Sequence, residues 1–288
     1  EFQRGDITKR EAWEAALHDV DTVVHLAAET GTGQSMYQVA RYNEVNSQGT
    51  ALLFDVLGKL GSHKVQRVVL SSSRSIYGEG AYFHPSRANR IYPVARSAAQ
   101  LQQARWEPVC PETGESLKLV ATHETDLVSP ASIYAATKYA QEDLVRISCQ
   151  AMGIGYATLR FQNVYGERQS LNNPYTGILS IFSTKIRRNS VLPLFEDGEE
   201  SRDFVHVDDV ANALIASIVC ESAPNTVINV GSGIATSVRA VAEELSRAFG
   251  KEPNIVVTGQ YRLGDIRHNY ADIGRLKSIL GVTPKISF

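Results

Sequence analysis

The sequence predicts an α/β fold in which parallel strands form a doubly wound sheet, accompanied by a smaller α/β lobe. Four apolar runs rich in β-branched residues have the length of buried strands. These runs are residues 21–28, 66–72, 155–161 and 226–232. Stretches of helical length lie between them, the two longest at 42–61 and 132–153. Because strands that alternate with helices form parallel βαβ units, we expect helices on both faces of the sheet.

A doubly wound domain that binds a dinucleotide carries a Gly-rich turn in its first strand-helix unit. No GxGxxG or GxxGxxG motif is present in this chain, and the GSG at 231–233 is too short and too late to replace it. We therefore expect that the N-terminal Gly-rich unit, a βαβ unit of roughly 30 residues or more, is missing from the chain. A doubly wound domain that never had this turn is the alternative.

The chain is predicted to divide into a main domain and a smaller lobe. Residues 1–165 are expected to form the doubly wound domain, incomplete at its start, and residues 166–288 mainly the smaller lobe. Residues 79–125 separate a strand end from a helix, where about 2 to 6 residues are typical, so they form an insertion at the ligand-binding edge of the sheet. The run 204–232 is expected to return to the main domain, with a helix that Asp208 caps.

The composition favours a small-molecule partner. The 288 residues carry a net charge of −2 with scattered Lys and Arg, so the chain has no basic stripe for nucleic acid or a membrane surface. The three cysteines form no CxxC pair, which fits a reducing compartment and predicts no metal site. No apolar run approaches the roughly 20 residues of a membrane span, and the start has no signal-peptide core. We therefore expect a cytoplasmic protein.

The helical stretch at 132–153 contains a Tyr and a Lys four residues apart, Tyr134 and Lys138. Residues at this spacing share a helix face, so the phenol and the ammonium converge. A nearby cation favours the phenolate, which makes the phenol a usable general base. An exposed helix face is the alternative for this pattern alone. The strand end VVLSSSRSIYG adds Ser73, whose hydroxyl is suited to bind a substrate oxygen and relay a proton.

Six motifs follow one another in a defined order. They are VVHLAAET, VVLSSSRSIYG, YAATK, LRFQNVYGER, DGEESRDFVHVDDVA and RLGDIRHNYAD. In order and spacing, from about residue 5 to about residue 282, the chain resembles the extended short-chain dehydrogenase/reductases, specifically the NAD-dependent nucleotide-sugar epimerases and dehydratases. The resemblance implies a Rossmann domain that binds NAD and a smaller lobe that binds a nucleotide-diphosphate sugar.

The resemblance also implies roles for individual residues. Tyr134 would be the base, Ser73 the assisting hydroxyl, and Lys138 the cation that binds the nicotinamide ribose and lowers the pKa of Tyr134. The other implied NAD contacts are Asp6 and Ile7 at the adenine, Ala27 and Ala28 along the cofactor, Asn46 at the nicotinamide end, and Ser71.

The nucleotide sugar would be held by Asn163 at its diphosphate and by Arg202, Arg262 and Asp265 at its phosphates and ribose. An arginine suits a diphosphate because its guanidinium offers bidentate donors. Surface salt bridges are the alternative for both arginines, in the case of Arg202 with the acidic run 196–200.

Residues after Ser73 indicate which reaction of the family to expect. The family's 4,6-dehydratases carry an Asp-Glu pair there, whereas this chain carries Arg74 and Ser75. Because arginine does not lose its proton at neutral pH, it cannot serve as a proton shuttle, and dehydration is disfavoured. We therefore expect epimerisation at C4 of a nucleotide-linked sugar through a transient 4-keto intermediate.

Within the family the chain is most like the dTDP-L-rhamnose 4-epimerases, which make dTDP-6-deoxy-L-talose. Residues 27–50 and the WEPVCPETG segment of the insertion carry this likeness. A UDP-sugar 4-epimerase or a nucleotide-sugar reductase is the alternative enzyme, and a non-catalytic NAD-binding sensor is the alternative from another class. The resemblance also implies a homodimer formed by the helical stretches 45–60 and 134–150.

Overall fold

Strands and helices alternate along the chain, as a computed structural model shows for residues 2–61, 63–170, 177–220 and 225–288. The strands are β1 (Thr22–His25), β2 (Arg67–Ser73), β3 (Tyr82–His84), β4 (Asn89–Ile91), β5 (Lys118–Leu119), β6 (Gly155–Phe161), β7 (Asn163–Tyr165), β8 (Leu192–Leu194), β9 (Ser201–Arg202), β10 (Phe204–His206), β11 (Thr226–Val230), β12 (Thr236–Ser237) and β13 (Ile255–Val257). The helices are α1 (Arg10–Ala16), α2 (Thr32–Ser35), α3 (Val39–Tyr42), α4 (Gly49–Lys59), α5 (Ala98–Gln102), α6 (Ile133–Met152), α7 (Ile178–Arg187), α8 (Val207–Val219), α9 (Val238–Ala248) and α10 (Gly274–Leu280). A π-helical segment (Asn43–Gln48) joins α3 to α4, and a 3-10 turn (Arg74–Tyr77) follows β2.

A parallel four-stranded sheet in the order β1-β2-β6-β11 forms the centre of the fold. Val68, Val69 and Leu70 in the middle of β2 are fully buried, as expected for a strand that is covered on both faces. The four apolar runs predicted from the sequence are these four strands. The predicted α/β fold with a doubly wound parallel sheet is therefore confirmed.

Helices cover the central sheet on both faces. On one face, Leu53 of α4 and Val145 of α6 belong to a core cluster that also includes α1. On the other face, Val210 of α8 and Leu276 of α10 pack against Val69, Leu159 and Ile228 of the sheet. Among the described residues, no helix is long and apolar enough to cross a membrane.

The smaller lobe has its own apolar core, which joins α7 and α9 to β8 and β10. Short strand pairs complete it: β7 with β10 and β8 with β13 are parallel, and β9 with β12 is antiparallel. Within the run 204–232, α8 and β11 pack with the central sheet instead. The expected division at residues 165 and 166 remains a prediction.

The insertion forms a small antiparallel sheet, β4-β3-β5, and the helix α5. Buried arginines tie it to the smaller lobe. The Arg96 guanidinium donates to the Glu196 carboxylate at 2.8 Å and to the Asp265 backbone carbonyl at 3.0 Å. From the other side, the Arg267 guanidinium donates to the Glu107 carboxylate at 2.8 Å. Part of the insertion therefore lies against the residues that surround the predicted substrate site.

The N-terminus of α8 differs from the prediction by two residues. His206 is the N-cap, and its Nδ1 accepts from the Asp208 backbone N–H at 3.2 Å. Asp208 lies in the first turn, where a carboxylate interacts favourably with the helix dipole. The prediction of Asp208 as the cap is therefore wrong, because the ring nitrogen of His206 accepts the terminal hydrogen bond in its place.

Candidate active site

Two neighbouring strands of the central sheet end at the same edge, where several predicted cofactor residues lie. β1 ends at His25 and is followed by Ala27 and Ala28, while β2 ends at Ser73. The Ser71 hydroxyl donates to the His25 backbone carbonyl at 3.2 Å and joins the two strand ends. In an open α/β sheet this carboxyl edge is where ligands bind.

The helix α6 brings its first turns to this edge. Ser132 caps the helix, since its hydroxyl accepts from the Ala135 backbone N–H at 3.1 Å. The helix packs on β2 and on the 3-10 turn that follows it. This packing brings the Tyr134 phenol near Ser73, whose hydroxyl acts on the pKa of the phenol. The structure therefore brings together the predicted base and the predicted assisting hydroxyl.

The environment of the Tyr134 phenol acts on its pKa in opposite directions. Burial raises the pKa, whereas a hydrogen bond with Ser73 and the positive charge of Arg74 lower it. The resemblance implies that Lys138 lowers this pKa, whereas the groups that lower it in this structure are Ser73 and Arg74. The role of Lys138 beside a bound cofactor remains a prediction.

Lys138 is buried in a network of charged and polar groups. Burial lowers its pKa to about 8, and the negative charge of Glu142 opposes this effect. Glu142 is held in turn by the Arg160 guanidinium at 2.8 Å and by the Ser72 hydroxyl at 2.5 Å. Burial and the charge of Lys138 lower the pKa of His25 to about 4. At neutral pH, Lys138 is thus charged beside a neutral His25.

Asn46 lies in the π-helical segment, a rare geometry that is often found at functional sites. Its Oδ1 accepts from the Glu29 backbone N–H at 2.8 Å, and its Nδ2 donates to the Glu29 carbonyl at 3.1 Å and to the Thr137 hydroxyl at 3.0 Å. The Thr137 hydroxyl donates to the Tyr134 carbonyl at 3.0 Å. Asn46 therefore fastens the segment after β1 to the first turn of α6, which fits a supporting role at the nicotinamide end.

Asp6 and Ile7 form the turn that leads into α1. The Asp6 carboxylate accepts from the backbone N–H and the hydroxyl of Thr8, both at 2.9 Å, and these bonds lower its pKa. The Ile7 carbonyl accepts from the Trp13 indole at 2.9 Å. The Ile7 side chain packs so closely on Gly49 that a Cβ there would lie 2.9 Å from it. The turn is thus held firmly on α4, and its adenine contact remains a prediction.

A cavity of about 510 Å³ in the smaller lobe unites the predicted substrate residues. Its lining includes Asn163, Arg202, Arg262 and Asp265. Asn163 begins β7, Arg202 ends β9, and the other two follow β13. Residues about 100 positions apart in the sequence therefore meet around a volume that suits a small organic ligand.

The two arginines of the cavity are held in different ways. The Arg202 guanidinium donates to the Asp265 carboxylate at 3.2 Å and to the Ile266 carbonyl at 2.8 Å. Its ion-pair partner is therefore Asp265 and not the acidic run 196–200. The Arg262 guanidinium lies 4.8 Å above the centre of the Phe195 ring, which is a cation–π contact.

Glu200 is an acidic residue in the same lining. Burial and the charge of Glu196 raise its pKa to about 7. Its Oε2 is buried without a hydrogen-bond partner in the described parts of the chain, and the nearest cation, the Arg267 guanidinium, is 3.8 Å away. This carboxyl is therefore divided between its neutral and charged forms near neutral pH.

The sequence analysis missed four residues of the site. They are Tyr42, Phe195 and Glu200, which it did not select, and Arg74, which it considered only as evidence against dehydration. Phe195 and Glu200 lie within a few positions of Arg202, so proximity to that motif was the available signal. No sequence signal indicates Tyr42, whose ring contacts that of Tyr134.

The residues at the sheet edge fit a bound NAD. Ala27 is exposed and, with Ala28, leaves space along the end of β1. The charged Lys138 and the Tyr134 phenol supply hydrogen-bond donors of the kind that ribose hydroxyls accept. Within the ranges that the structure describes, no group of three or more His, Cys, Asp or Glu is arranged to hold a metal ion.

A parallel sheet edge that carries Ser73, Tyr134 and Lys138, together with a cavity lined by two arginines, is typical of an enzyme that uses a dinucleotide. The chain belongs to the NAD-dependent epimerase/dehydratase family, whose model matches residues 1–107 and 109–231. The predictions of this family, of NAD as cofactor and of an enzyme in the nucleotide-sugar epimerase class are therefore confirmed.

Known proteins similar to this chain include several 4-epimerases. A dTDP-L-rhamnose 4-epimerase of Burkholderia thailandensis is 40% identical over 98% of this chain and 76% of its own length. A UDP-glucose 4-epimerase of Thermotoga maritima, solved with UDP-glucose, is 29% identical with a TM-score of 0.79, covering 99% of this chain and 80% of that one. MoeE5, solved with UDP-glucuronic acid and NAD, is 28% identical with a TM-score of 0.77, covering 99% of this chain and 80% of that one.

Proposed function

We propose that this protein is an NAD-dependent nucleotide-sugar 4-epimerase that converts dTDP-L-rhamnose to dTDP-6-deoxy-L-talose. One structural observation carries the nucleotide-sugar part of this proposal. The reaction centre of Tyr134 and Ser73 lies at the sheet edge, and the four predicted substrate residues line one separate cavity. The identity of 40% with a dTDP-L-rhamnose 4-epimerase supports the choice of sugar and nucleotide.

In the proposed reaction, Tyr134 takes the proton of the C4 hydroxyl and later returns it. Ser73 hydrogen-bonds the phenol and relays this proton, and Lys138 holds the nicotinamide ribose. A bound NAD would supply the hydride transfer at C4. Inversion requires the sugar to present its other face between these events while the nucleotide stays anchored. Arg202, Arg262 and Asn163 provide this anchor, at a distance from the reacting carbon.

The residues next to Ser73 argue against dehydration. Elimination of water needs an additional acid and base, whereas Arg74 and Ser75 occupy the two positions. Burial and the charge of Arg202 lower the pKa of Arg74 to about 10. Arg74 thus remains protonated at neutral pH and does not exchange protons with the sugar.

The alternatives differ in substrate or in turnover. The relatives that act on UDP-glucose make a UDP-sugar 4-epimerase the second candidate. A reductase would release its cofactor after each turnover, whereas an epimerase regenerates and retains it. A sensor would bind NAD and nucleotide sugar without converting either.

The deciding experiment is incubation of the protein with dTDP-L-rhamnose, UDP-glucose and UDP-glucuronic acid, each followed by NMR of the C4 configuration. The proposal requires inversion of dTDP-L-rhamnose without added NADH, and its loss in Tyr134→Phe. Inversion of a UDP-sugar alone would replace the proposed substrate. If the protein binds these nucleotide sugars and inverts none of the three, the non-catalytic sensor becomes the favoured alternative.

We also propose that α4 and α6 form a homodimer, as the family resemblance implies. Ile147 of α6 is 55% exposed and provides an apolar contact on this surface. Multi-angle light scattering should give twice the mass of one chain for wild type. For Ile147→Lys it should give the mass of one chain. A wild-type monomer would remove this proposal.

A further inference from the structure

Arg74 lies beside the proposed reaction centre. It directly follows Ser73 and begins the 3-10 turn that packs on α6. Its charge reaches Tyr134, and the charges of Arg202 and Asp265 in the cavity lining reach Arg74. We therefore expect a ligand that extends from the cavity to the Tyr134 phenol to pass near the Arg74 guanidinium.

One amino group of this guanidinium has an unused hydrogen-bond donor. The Nη1 of Arg74 is buried, and it has no hydrogen-bond partner in the described part of the chain. A buried donor without a partner costs about 1–3 kcal/mol, so such groups are rare unless a ligand or water completes them. Four groups share this environment: Arg202, Asp265, Glu79 and Tyr134. Arg202 and Asp265 already bond each other, and Glu79 accepts from the Arg267 backbone N–H at 3.0 Å.

We propose that Arg74 is a substrate-specificity residue that donates a hydrogen bond from Nη1 to an oxygen of the sugar. This inference rests on the proposed function, because it assumes that a nucleotide sugar spans the cavity and the reaction centre. It assigns Arg74 to the sugar and leaves the diphosphate to Arg202 and Arg262. Arg74, which disfavours dehydration, therefore also helps to recognise the sugar.

The chemistry of arginine suits this role better than proton transfer. Its guanidinium stays charged, and its charge also favours the ionised form of the Tyr134 phenol. A planar donor group is sensitive to the orientation of the hydroxyls that it contacts. Epimers that differ at a contacted hydroxyl are then bound with different affinities.

Calorimetric titration with dTDP and with dTDP-L-rhamnose tests the assignment in wild type, Arg74→Gln and Arg262→Gln. Arg74→Gln should bind dTDP within about twofold of wild type and dTDP-L-rhamnose about 10-fold to 100-fold more weakly, since one charge-assisted hydrogen bond is lost. Arg262→Gln should weaken both ligands. If the wild type inverts only a UDP-sugar, the same comparison is made with UDP and that UDP-sugar. Failure of the proposed substrate and failure of the Arg74 assignment therefore give different results.

Two outcomes overturn the inference. One is that Arg74→Gln binds the nucleotide sugar as tightly as wild type does. The other is that Arg74→Gln loses affinity for dTDP and for dTDP-L-rhamnose equally. Thermal melting and NAD retention identify a variant that does not fold. In that case Arg74→Lys is titrated with both ligands, and a loss confined to the nucleotide sugar is again the required result, because lysine keeps the charge without the planar fork.

Discussion

The ring of Tyr42 meets the ring of Tyr134 edge to face, with centroids 6.4 Å apart and planes at 87°. Tyr42 is completely buried, and its hydroxyl donates to the Gly31 carbonyl at 3.0 Å. The same hydroxyl proton is shared with the Thr30 carbonyl, which lies 2.5 Å from the hydroxyl oxygen. Tyr42 is therefore fixed at both ends and limits the movement of the phenol that we propose as the base.

Tyr42→Leu is expected to lower kcat about tenfold with little change in KM, because a base displaced by a fraction of its hydrogen-bond length reacts more slowly. Tyr42→Phe keeps the edge-to-face contact and is the matched control. It should retain most of the kcat of wild type and lose only stability. Steady-state kinetics of both variants check this prediction, and equal losses in the two would show that the hydroxyl matters more than the ring.

Lys138 provides a prediction about cofactor binding. Burial lowers its pKa to about 8, so its charge is present at pH 7 and is lost as the pH rises above 8. NAD affinity should fall over this range, and Lys138→Met should bind NAD about tenfold or more weakly at pH 7 because a charge-assisted donor is gone. Fluorescence titration measures both effects. Lys64→Met, at a lysine that is exposed, is the control and should leave NAD binding unchanged.

Glu200 provides a prediction about pH and substrate. Its pKa is raised to about 7, so the carboxyl becomes charged as the pH rises from 6 to 8, beside the site proposed for a diphosphate. The Kd for dTDP-L-rhamnose should therefore increase about 3-fold to 10-fold over this range through charge repulsion. Glu200→Gln should remove the dependence, while the exposed neighbour change Glu199→Gln should preserve it. An equally steep dependence in Glu200→Gln would assign the titration to another group.

The central sheet could be predicted because buried parallel strands leave a strong signal. Runs such as 66–72 and 155–161 have apolar residues at their centres, and both coincide with observed strands to within a residue at each end. The cavity residues Asn163, Arg202, Arg262 and Asp265 were found through motif resemblance, which records that these residues act together without showing how. Only the structure shows that these residues line one cavity.

Side-chain direction and the surroundings of charged groups could not be predicted from the sequence. Arg74 was visible as a departure from the dehydratase pattern, but its neighbours Arg202 and Asp265 lie more than a hundred residues away. Glu200 occurs in an acidic run that suggests solvent, and its raised pKa depends on burial against the smaller lobe. Long-range packing determines such properties, and one sequence does not record it.

His25 provides a prediction about stability. Its ring is buried, with Nε2 2.8 Å from the Thr50 hydroxyl, and burial lowers its pKa from 6.5 to about 4. Between these two values the unfolded chain binds more protons than the folded one, so this contribution to stability is complete above pH 6.5 and is lost as the pH falls towards 4. At pH 5 the loss is about 2 kcal/mol.

Urea unfolding at pH 7 and pH 5 measures this difference. From pH 7 to pH 5, the free energy of unfolding should fall about 2 kcal/mol less in His25→Gln than in wild type. At pH 7 the variant should already be less stable than wild type, because a buried hydrogen bond is altered. His18→Gln, at an exposed histidine, should follow wild type. If His25→Gln and wild type lose stability in parallel, another buried group is responsible for the acid sensitivity.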